Sequence, residues 1–385
     1  MQNFIYDIPT KVYFGKDQIQ HLHTILGEYG KKALLVYGGG SIKRNGIYDA
    51  ILKEAEVSAT SIVELSGVEA NPQLGTVKRG IKIAREAQAD VILAVGGGSS
   101  IDCAKAIAAG VYYDGNPWDF VIDESKITKA LPIISVLTIA ATGSEMDHIS
   151  VISNIETQEK IGMRHPLLRP KVSIMDPTYT FSVSKYQSAS GTADIMSHVM
   201  ESYFSKEEAY LQDQFAESLL KTCIEFGVTA YNKPDHYEAR ANLMWASSWA
   251  INDLLKLGKP VAWSVHPIEH QLSAVYDITH GVGLAILTPH WMEYVLNDST
   301  VEKFATLARN VWGVEDCEDQ FKVARAGIER LKAFYHQLEL PTTLSQLDID
   351  ETHFEAMAAK CEPALKDAYV ALSKEDIIKI YKASL

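Results

Sequence analysis

The sequence predicts an α/β domain with a parallel sheet over residues 1–182, followed by an all-helical domain over 183–385. Three observations carry this reading. Short apolar runs alternate with helical stretches through the first half, strand signals stop after Ser182, and two glycine-rich turns each follow a predicted strand directly. A chain of 385 residues suits two domains, and 47% hydrophobic with 22% charged residues can bury substantial cores.

The strands come first. Lys32–Tyr37 is a compact apolar run closed by Gly38-Gly39-Gly40, and Thr60–Leu65 is rich in β-branched residues. Asp90–Val95 is closed by Gly96-Gly97-Gly98, and Pro132–Thr138 and Val172–Met175 complete the set. Continuous apolar strands of this kind are buried on both faces, which is the signature of a parallel sheet between helical layers. Leu74–Ala87 and Ser100–Ala109 are among the intervening helices. Asn3–Gly15 alternates weakly and reads as an edge strand or a dimer strand, and Val151–Met163 reads as a hairpin around Glu156-Thr157.

Beyond Ser182 the expected helices are Thr192–Phe204, Leu211–Tyr231, Tyr237–Leu255, His266–Val275, Val282–Leu296, Glu302–Trp312, Asp319–Gln337 and Lys374–Ala383. Pro234, Pro260, Pro289 and Pro341 are expected at or near helix boundaries, where a missing N–H is tolerated. A cleft between the two domains is the default place for a site.

A net charge of −13 argues against nucleic acid as a main partner. Cys103, Cys223, Cys317 and Cys361 match no zinc or C-x-x-C spacing and read as thiols of a reducing compartment. Residues 1–15 lack the apolar core of a signal peptide, and no apolar run is long enough to span a bilayer. A cytoplasmic location and no membrane partner are therefore expected.

The runs Gly38–Ser41 and Gly96–Ser99 each link a strand to a helix. Glycine allows a phosphate close to the backbone at a strand's carboxyl end, and a helix start adds N–H donors, so two such loops suit a dinucleotide in a Rossmann-like sheet. Neither fits G-x-G-x-x-G, since Lys43 and Ile101 stand at the third glycine's place. The competing, less favoured reading of the two loops is a pair of tight turns in a phosphate-free domain. Thr142-Gly143-Ser144-Glu145 adds two hydroxyls and a flexible turn after another strand.

Asp194 and His198 stand four apart on one predicted helix, and His266 and His270 repeat that spacing on another, with His280 ten residues further on. His21, His23, His165, His236 and His353 lie in polar, unpatterned surroundings. Histidine with a carboxylate suits Zn²⁺ or Fe²⁺ held with an open position. Spacing alone favours His266 and His270 as the second ligand pair.

The succession GGGSIKRNG (38–46), GVEANP (67–72), AVGGGSSIDCAKAIAAG (94–110), VLTIAATGSEM (136–146), Asp194-x-x-x-His198 and HPIEHQLSAVYDITHG (266–281) resembles the iron-containing alcohol dehydrogenases, in particular the NADPH-dependent butanol dehydrogenases. The resemblance spans nearly the whole chain. It implies a dinucleotide-binding domain and a helical metal domain, NADP(H) ahead of NAD(H), one divalent Fe²⁺ or Zn²⁺, a small alcohol or aldehyde substrate such as butanol or butanal, and a homodimer. It also implies Asp194, His198, His266 and His280 as metal ligands, with His270 left in the catalytic pocket as the proton relay. The implied cofactor contacts are Gly97, Gly98, Ser99, Asp102, Thr138, Thr142 and Ser144, with Lys160 and Tyr179 beside them. NAD-selective members place an aspartate in the first glycine loop; here Gly38, Gly39, Gly40 and Ser41 stand there, with Gly39, Gly40 and Ser41 free to donate to a 2′-phosphate. Asp147-His148 replaces the family's usual Asn and is expected to add charge near the nicotinamide end. The rival enzyme reading is a dehydroquinate-synthase-like lyase or cyclase. It would want basic residues for an anionic substrate, where Trp245–Ala250 and Ala262-Trp263 are apolar.

Overall fold

Alternate side chains of the central strands point to opposite faces, and both faces are apolar, so the sheet must be covered twice. The computed structural model describes residues 1–385 and shows this arrangement. The strands are β1 (Lys11–Phe14), β2 (Lys32–Tyr37), β3 (Ser61–Leu65), β4 (Val91–Gly96), β5 (Ile133–Leu137), β6 (Ile149–Asn154), β7 (Glu159–Arg164) and β8 (Val172–Met175). Six of them form one sheet in the order β1-β8-β5-β4-β2-β3, parallel throughout. Leu34 and Val36 of β2 with Ile92 and Ala94 of β4 pack on one side, against Val77, Ile81, Ala104 and Ile107 of the Leu74–Ala87 and Gly98–Gly110 helices. Leu35 and Tyr37 with Leu93 and Val95 pack on the other, against Leu22, Ile25, Ile47 and Ile51. Each such fully buried aliphatic side chain contributes roughly 1.5–3 kcal/mol. β6 and β7 form the separate antiparallel hairpin, and β1 is an edge strand of the main sheet.

The second unit is helical. Its main helices are Lys185–Tyr203, Tyr210–Asn232, Val265–Tyr276, His280–Val295, Val301–Trp312, Gln320–Gln337, Phe354–Cys361 and Lys374–Ala383. None is long and apolar enough to cross a membrane. All four cysteines are free.

The compact units are Asp7–Val183 with Pro234–Ser248, and Met1–Tyr6 with Ser184–Lys233 and Trp249–Leu385. The 234–248 segment joins the sheet unit because Met244 enters its core and Trp245 meets Phe14 edge-on at 5.6 Å. The helix expected to run from Tyr237 to Leu255 ends at Ile251, and Asp253 then adopts a left-handed φ of 79°. Pro289 lies inside the His280–Val295 helix. The neighbouring Leu284–Thr288, Trp291 and Met292 are buried, and that packing carries the helix through the missing N–H.

Candidate functional site

In the sheet unit the two glycine loops follow neighbouring strands, since β2 and β4 pair with Tyr37 opposite Val95. Gly39 and Gly40 face open space, where an added Cβ would meet nothing within 4 Å. Gly98 is the reverse: its Cβ would fall 2.2 Å from Thr142 Oγ1, so only glycine lets the two segments meet. Gly98 opens the 13-residue Gly98–Gly110 helix, which no side chain caps. That N-terminus is a natural phosphate cradle, and the loop therefore fits a dinucleotide. Thr138 follows β5, its N–H donating to Gly96 O at 2.9 Å. Ser99 Oγ donates to Ala70 O at 2.6 Å. Lys160 lies buried on β7, and Tyr179 follows β8, packed against the sheet's second core.

Asp102 and Ser144, expected to touch the cofactor, have their side chains engaged inside the protein. Ser144 Oγ donates to Asp102 Oδ1 at 2.6 Å and accepts from Lys105 Nζ at 2.8 Å, while Val151 N–H donates to Asp102 Oδ2 at 2.9 Å. Lys105 is fully buried and also donates to Asp147 Oδ1 at 2.5 Å and Ile149 O at 2.8 Å. The charge expected from Asp147 near the nicotinamide is thus neutralised by a lysine, and His148 Nδ1 instead stands 3.0 Å from Arg169 Nη2. Asp102, Lys105 and Asp147 form a buried frame under the 138–147 loop.

Glu145 of that loop is completely buried, with Oε1 accepting from Ser248 Oγ and Oε2 lacking a hydrogen-bond partner. Burial pushes its carboxyl up to about 7, against the pull of the Ser248 bond. A carboxyl raised in the fold contributes stability that is present below its unfolded value, near 4.5, and is lost as pH rises through about 7. Glu145→Gln has no proton to lose there. Its melting temperature should change less between pH 5 and 8 than that of the wild type, by an amount worth about 2–3 kcal/mol. Parallel melting profiles for the two proteins would contradict this.

In the helical unit Asp194, His198 and Glu201 occupy one face of the Lys185–Tyr203 helix at i, i+4 and i+7. His266, Glu269 and His270 lie on Val265–Tyr276, and His280 opens His280–Val295. A Cβ on Gly281 would come within 2.1 Å of Ser190 O, so glycine there lets the last helix approach the first closely and delivers His280. The Nε2 atoms of His198, His266 and His280 stand 3.6, 4.0 and 3.8 Å from Asp194 Oδ1. With bonds of about 2.0–2.2 Å, ligands of a tetrahedral ion stand about 3.3–3.6 Å apart, so a small inward movement would close this set on one ion. The His270 ring lies 6.2 Å from that of His266 and 5.4 Å from that of His280, against 5.1 Å between the His266 and His280 rings.

Two carboxylates missed in the sequence complete the arrangement. Glu201 Oε1 lies 3.0 Å from His266 Nδ1 and accepts the Val265 and His266 N–H groups at 2.8 Å. Glu269 Oε2 meets His280 Nδ1, and its Oε1 accepts from Ser273 Oγ at 2.5 Å. A carboxylate on Nδ1 fixes the tautomer that leaves Nε2 as a lone pair. Glu269, His270 and His280 also bring ligand atoms within 4.8 Å of one another, but Glu269 is already spent on Nδ1 of His280. Burial, followed by the nearby His266 and Lys256, pushes the His198 pKa well below its usual value, so its imidazole is neutral. Trp263 walls the cluster, its ring 4.3 Å from His266 and 5.5 Å from His198. The donor set fits a divalent metal. The signal for the two glutamates was available as Asp194-x₃-His198-x₂-Glu201 and His266-x₂-Glu269.

A parallel-sheet unit with two glycine loops and a helical unit with a carboxylate among imidazoles together fit a metal- and nucleotide-dependent class of enzyme. Comparison narrows the class. The family described as "Iron-containing alcohol dehydrogenase" matches residues 9–177, and the C-terminal part of the Fe-containing alcohol dehydrogenase family matches 188–385. The chain is 56% identical to NADH-dependent butanol dehydrogenase A of Clostridium acetobutylicum, covering 100% of both. It is 36% identical to the NADPH-dependent aldehyde reductase YqhD of Escherichia coli, covering 94% of this chain and 93% of that one. The crystal structure of NADH-dependent butanol dehydrogenase A from Thermotoga maritima superposes with a TM-score of 0.95 at 37% identity, covering 100% of this chain and 99% of the other. The chain belongs to the iron-containing alcohol dehydrogenase family and is a metal-dependent, NAD(P)-linked alcohol oxidoreductase.

Proposed function

We propose that the enzyme interconverts small aliphatic aldehydes and primary alcohols, such as butanal and butanol, taking NADP(H) ahead of NAD(H). One divalent Fe²⁺ or Zn²⁺ is held by Asp194, His198, His266 and His280. The observation that carries this is the convergence of three Nε2 atoms on Asp194 Oδ1 at 3.6–4.0 Å. Such an ion supplies Lewis acidity toward the substrate oxygen, and the nicotinamide carries the hydride. Asp194 provides the anionic donor, while Glu201 and Glu269 hold two imidazoles in the ligating tautomer. A ring nitrogen of His270 gives the substrate oxygen its proton on reduction and takes it back on oxidation. Trp263 presents an apolar wall to the imidazoles and keeps water from them. Asp102, Lys105 and Ser144 position the 138–147 loop from beneath. We place the pyrophosphate at Gly97–Ser99, with Thr138, Thr142, Lys160 and Tyr179 along the cofactor, and assign a homodimer as the working assembly.

The cofactor preference is supported by the absence of a carboxylate at Gly38–Ser41, which removes a group that would repel a 2′-phosphate. Relatives at 43–56% identity are named NADH-dependent, which counts against the preference, while the NADPH-dependent YqhD is 36% identical. The test is loss of 340 nm absorbance from NADPH and from NADH when butanal is added, before and after chelation. Chelator-sensitive turnover with higher kcat/KM for NADPH is expected. A higher value for NADH would overturn the preference, and turnover indifferent to chelation would overturn the metal. Gly39→Asp should move the kcat/KM ratio toward NAD(H) by roughly tenfold or more, through charge repulsion.

A further inference from the structure

Beside the first glycine loop lies a cluster that the reaction leaves unused. Glu64 of β3 accepts from Tyr37 Oη at 2.6 Å on Oε2 and from Tyr48 Oη on Oε1. Lys43, three residues past Gly40, reaches the same Oε2 at 3.4 Å. Its ammonium lies 4.3 Å from the Tyr48 ring centroid and 5.3 Å from that of Tyr37. The end of β3 is tied to the loop itself, since Gly67 N–H donates to Gly38 O at 3.1 Å and Val68 N–H to Tyr37 O at 3.2 Å. The Lys43 ammonium beside the loop is therefore caged by a carboxylate and two aromatic faces. The cage is not closed: the side chains of Lys43 and Glu64 are 47% and 34% exposed, so the pair is weakened by solvent and can be exchanged for another anion.

We propose that Glu64 sets the balance between the two nicotinamide cofactors, by holding Lys43 back from a 2′-phosphate on the adenosine ribose. The inference rests on the reading above that puts the adenosine end at Gly38–Ser41. With NAD(H), Lys43 stays on Glu64. With NADP(H), the flexible ammonium must leave Glu64 for the 2′-phosphate, and the carboxylate then stands near a second anion. Burial raises the Glu64 pKa, but its bonds to Tyr37, Tyr48 and Lys43 outweigh that and hold it low, so the group is ionised at neutral pH. Both effects tax the phosphorylated cofactor alone. A chain with no aspartate in the loop can thus still serve NADH.

The test is binding of adenosine 2′,5′-bisphosphate and of 5′-AMP to the full-length protein, by calorimetry, with the ratio of the two dissociation constants as the readout. Glu64→Gln should shift that ratio about 3- to 10-fold in favour of the bisphosphate, the size expected for releasing a half-exposed ion pair near a phosphate. Lys43→Ala should shift it the other way, and Glu64→Gln combined with Lys43→Ala should show no gain. The kcat/KM ratio of NADPH to NADH should follow the same order. If Gly39→Asp disfavours the bisphosphate but Glu64→Gln leaves the ratio unmoved, Glu64 has no such role while the loop assignment stands. If Gly39→Asp is silent as well, the adenosine does not bind at this loop and both readings fall. Should Glu64→Gln fold poorly, Lys43→Ala decides alone: no loss of bisphosphate affinity overturns the proposal.

Discussion

His280→Ala should lose its divalent metal, while His270→Ala keeps the metal and its nucleotide affinity but loses most of its turnover. Sequence spacing pairs His266 with His270, since both lie on one face of a helix one turn apart. The fold brings a third candidate, His280, beside them. Nε2 of His280 stands 3.8 Å from Asp194 Oδ1, and the Glu269 carboxylate on its Nδ1 turns that ring's lone pair toward Asp194. The His270 ring stands 6.2 Å from that of His266 and 5.4 Å from that of His280. A fifth protein ligand would take the position that an alcohol oxygen needs. Removing His280 therefore opens the set to three donors, and metal content by elemental analysis should fall to a small fraction of the wild-type value. Asp194→Asn, which removes the anionic donor, should behave likewise. Removing His270 deletes a proton relay, worth roughly 10²–10⁴ in kcat. A metal-free His270→Ala with a metal-replete His280→Ala would show that the ligand set includes the wrong histidine.

Much of the sheet unit was legible because its signals are local. The Lys32–Tyr37 and Val172–Met175 strands and the Leu74–Ala87 helix appear with the bounds that their apolar runs suggest. The same holds for Lys374–Ala383, which a Ser373/Asp376 capping box starts. What depends on packing across long sequence separations was not legible. Glu201 and Glu269 look like ordinary helix-surface carboxylates until the Val265–Tyr276 and His280–Val295 helices fold against Lys185–Tyr203. Glu64 sits in a strand next to apolar neighbours and gains meaning only when Lys43 and Tyr48 close over it. The local rule for proline puts Pro289 at a helix boundary while the apolar run Val282–Leu296 carries a helix across it, and burial of its neighbours decides for the helix. Asp147 read as a charge near the nicotinamide because its partner, Lys105, lies 42 residues earlier and looks in sequence like one more helix lysine.

That buried lysine leads to the second large effect: Lys105→Met should destabilise the sheet unit by about 3–5 kcal/mol, the usual cost of removing one partner from a buried ion pair. The methionine fills much the same volume, so cavity formation is a small part of the loss. The larger part is electrostatic. Asp147 is buried and would keep only the Ile149 N–H at 2.8 Å on the oxygen that now faces Lys105. Asp102, whose carboxyl burial already raises to about 6 against the pull of Lys105, would rise further and take up a proton at neutral pH. Ser144 would lose the donor that holds its hydroxyl toward Asp102. Because Ser144, Glu145 and Asp147 belong to the same loop, the damage should reach nucleotide binding. KM for the nicotinamide cofactor should rise several-fold, while metal content, which depends on the helical unit, stays at the wild-type level. Lys105→Met combined with Asp147→Asn removes both charges and should recover part of the loss, so a double-mutant cycle should report a coupling of about 1–3 kcal/mol between them. Denaturant titrations showing a loss below about 1 kcal/mol for Lys105→Met, or strict additivity in the cycle, would mean that Lys105 is not the group holding this frame together.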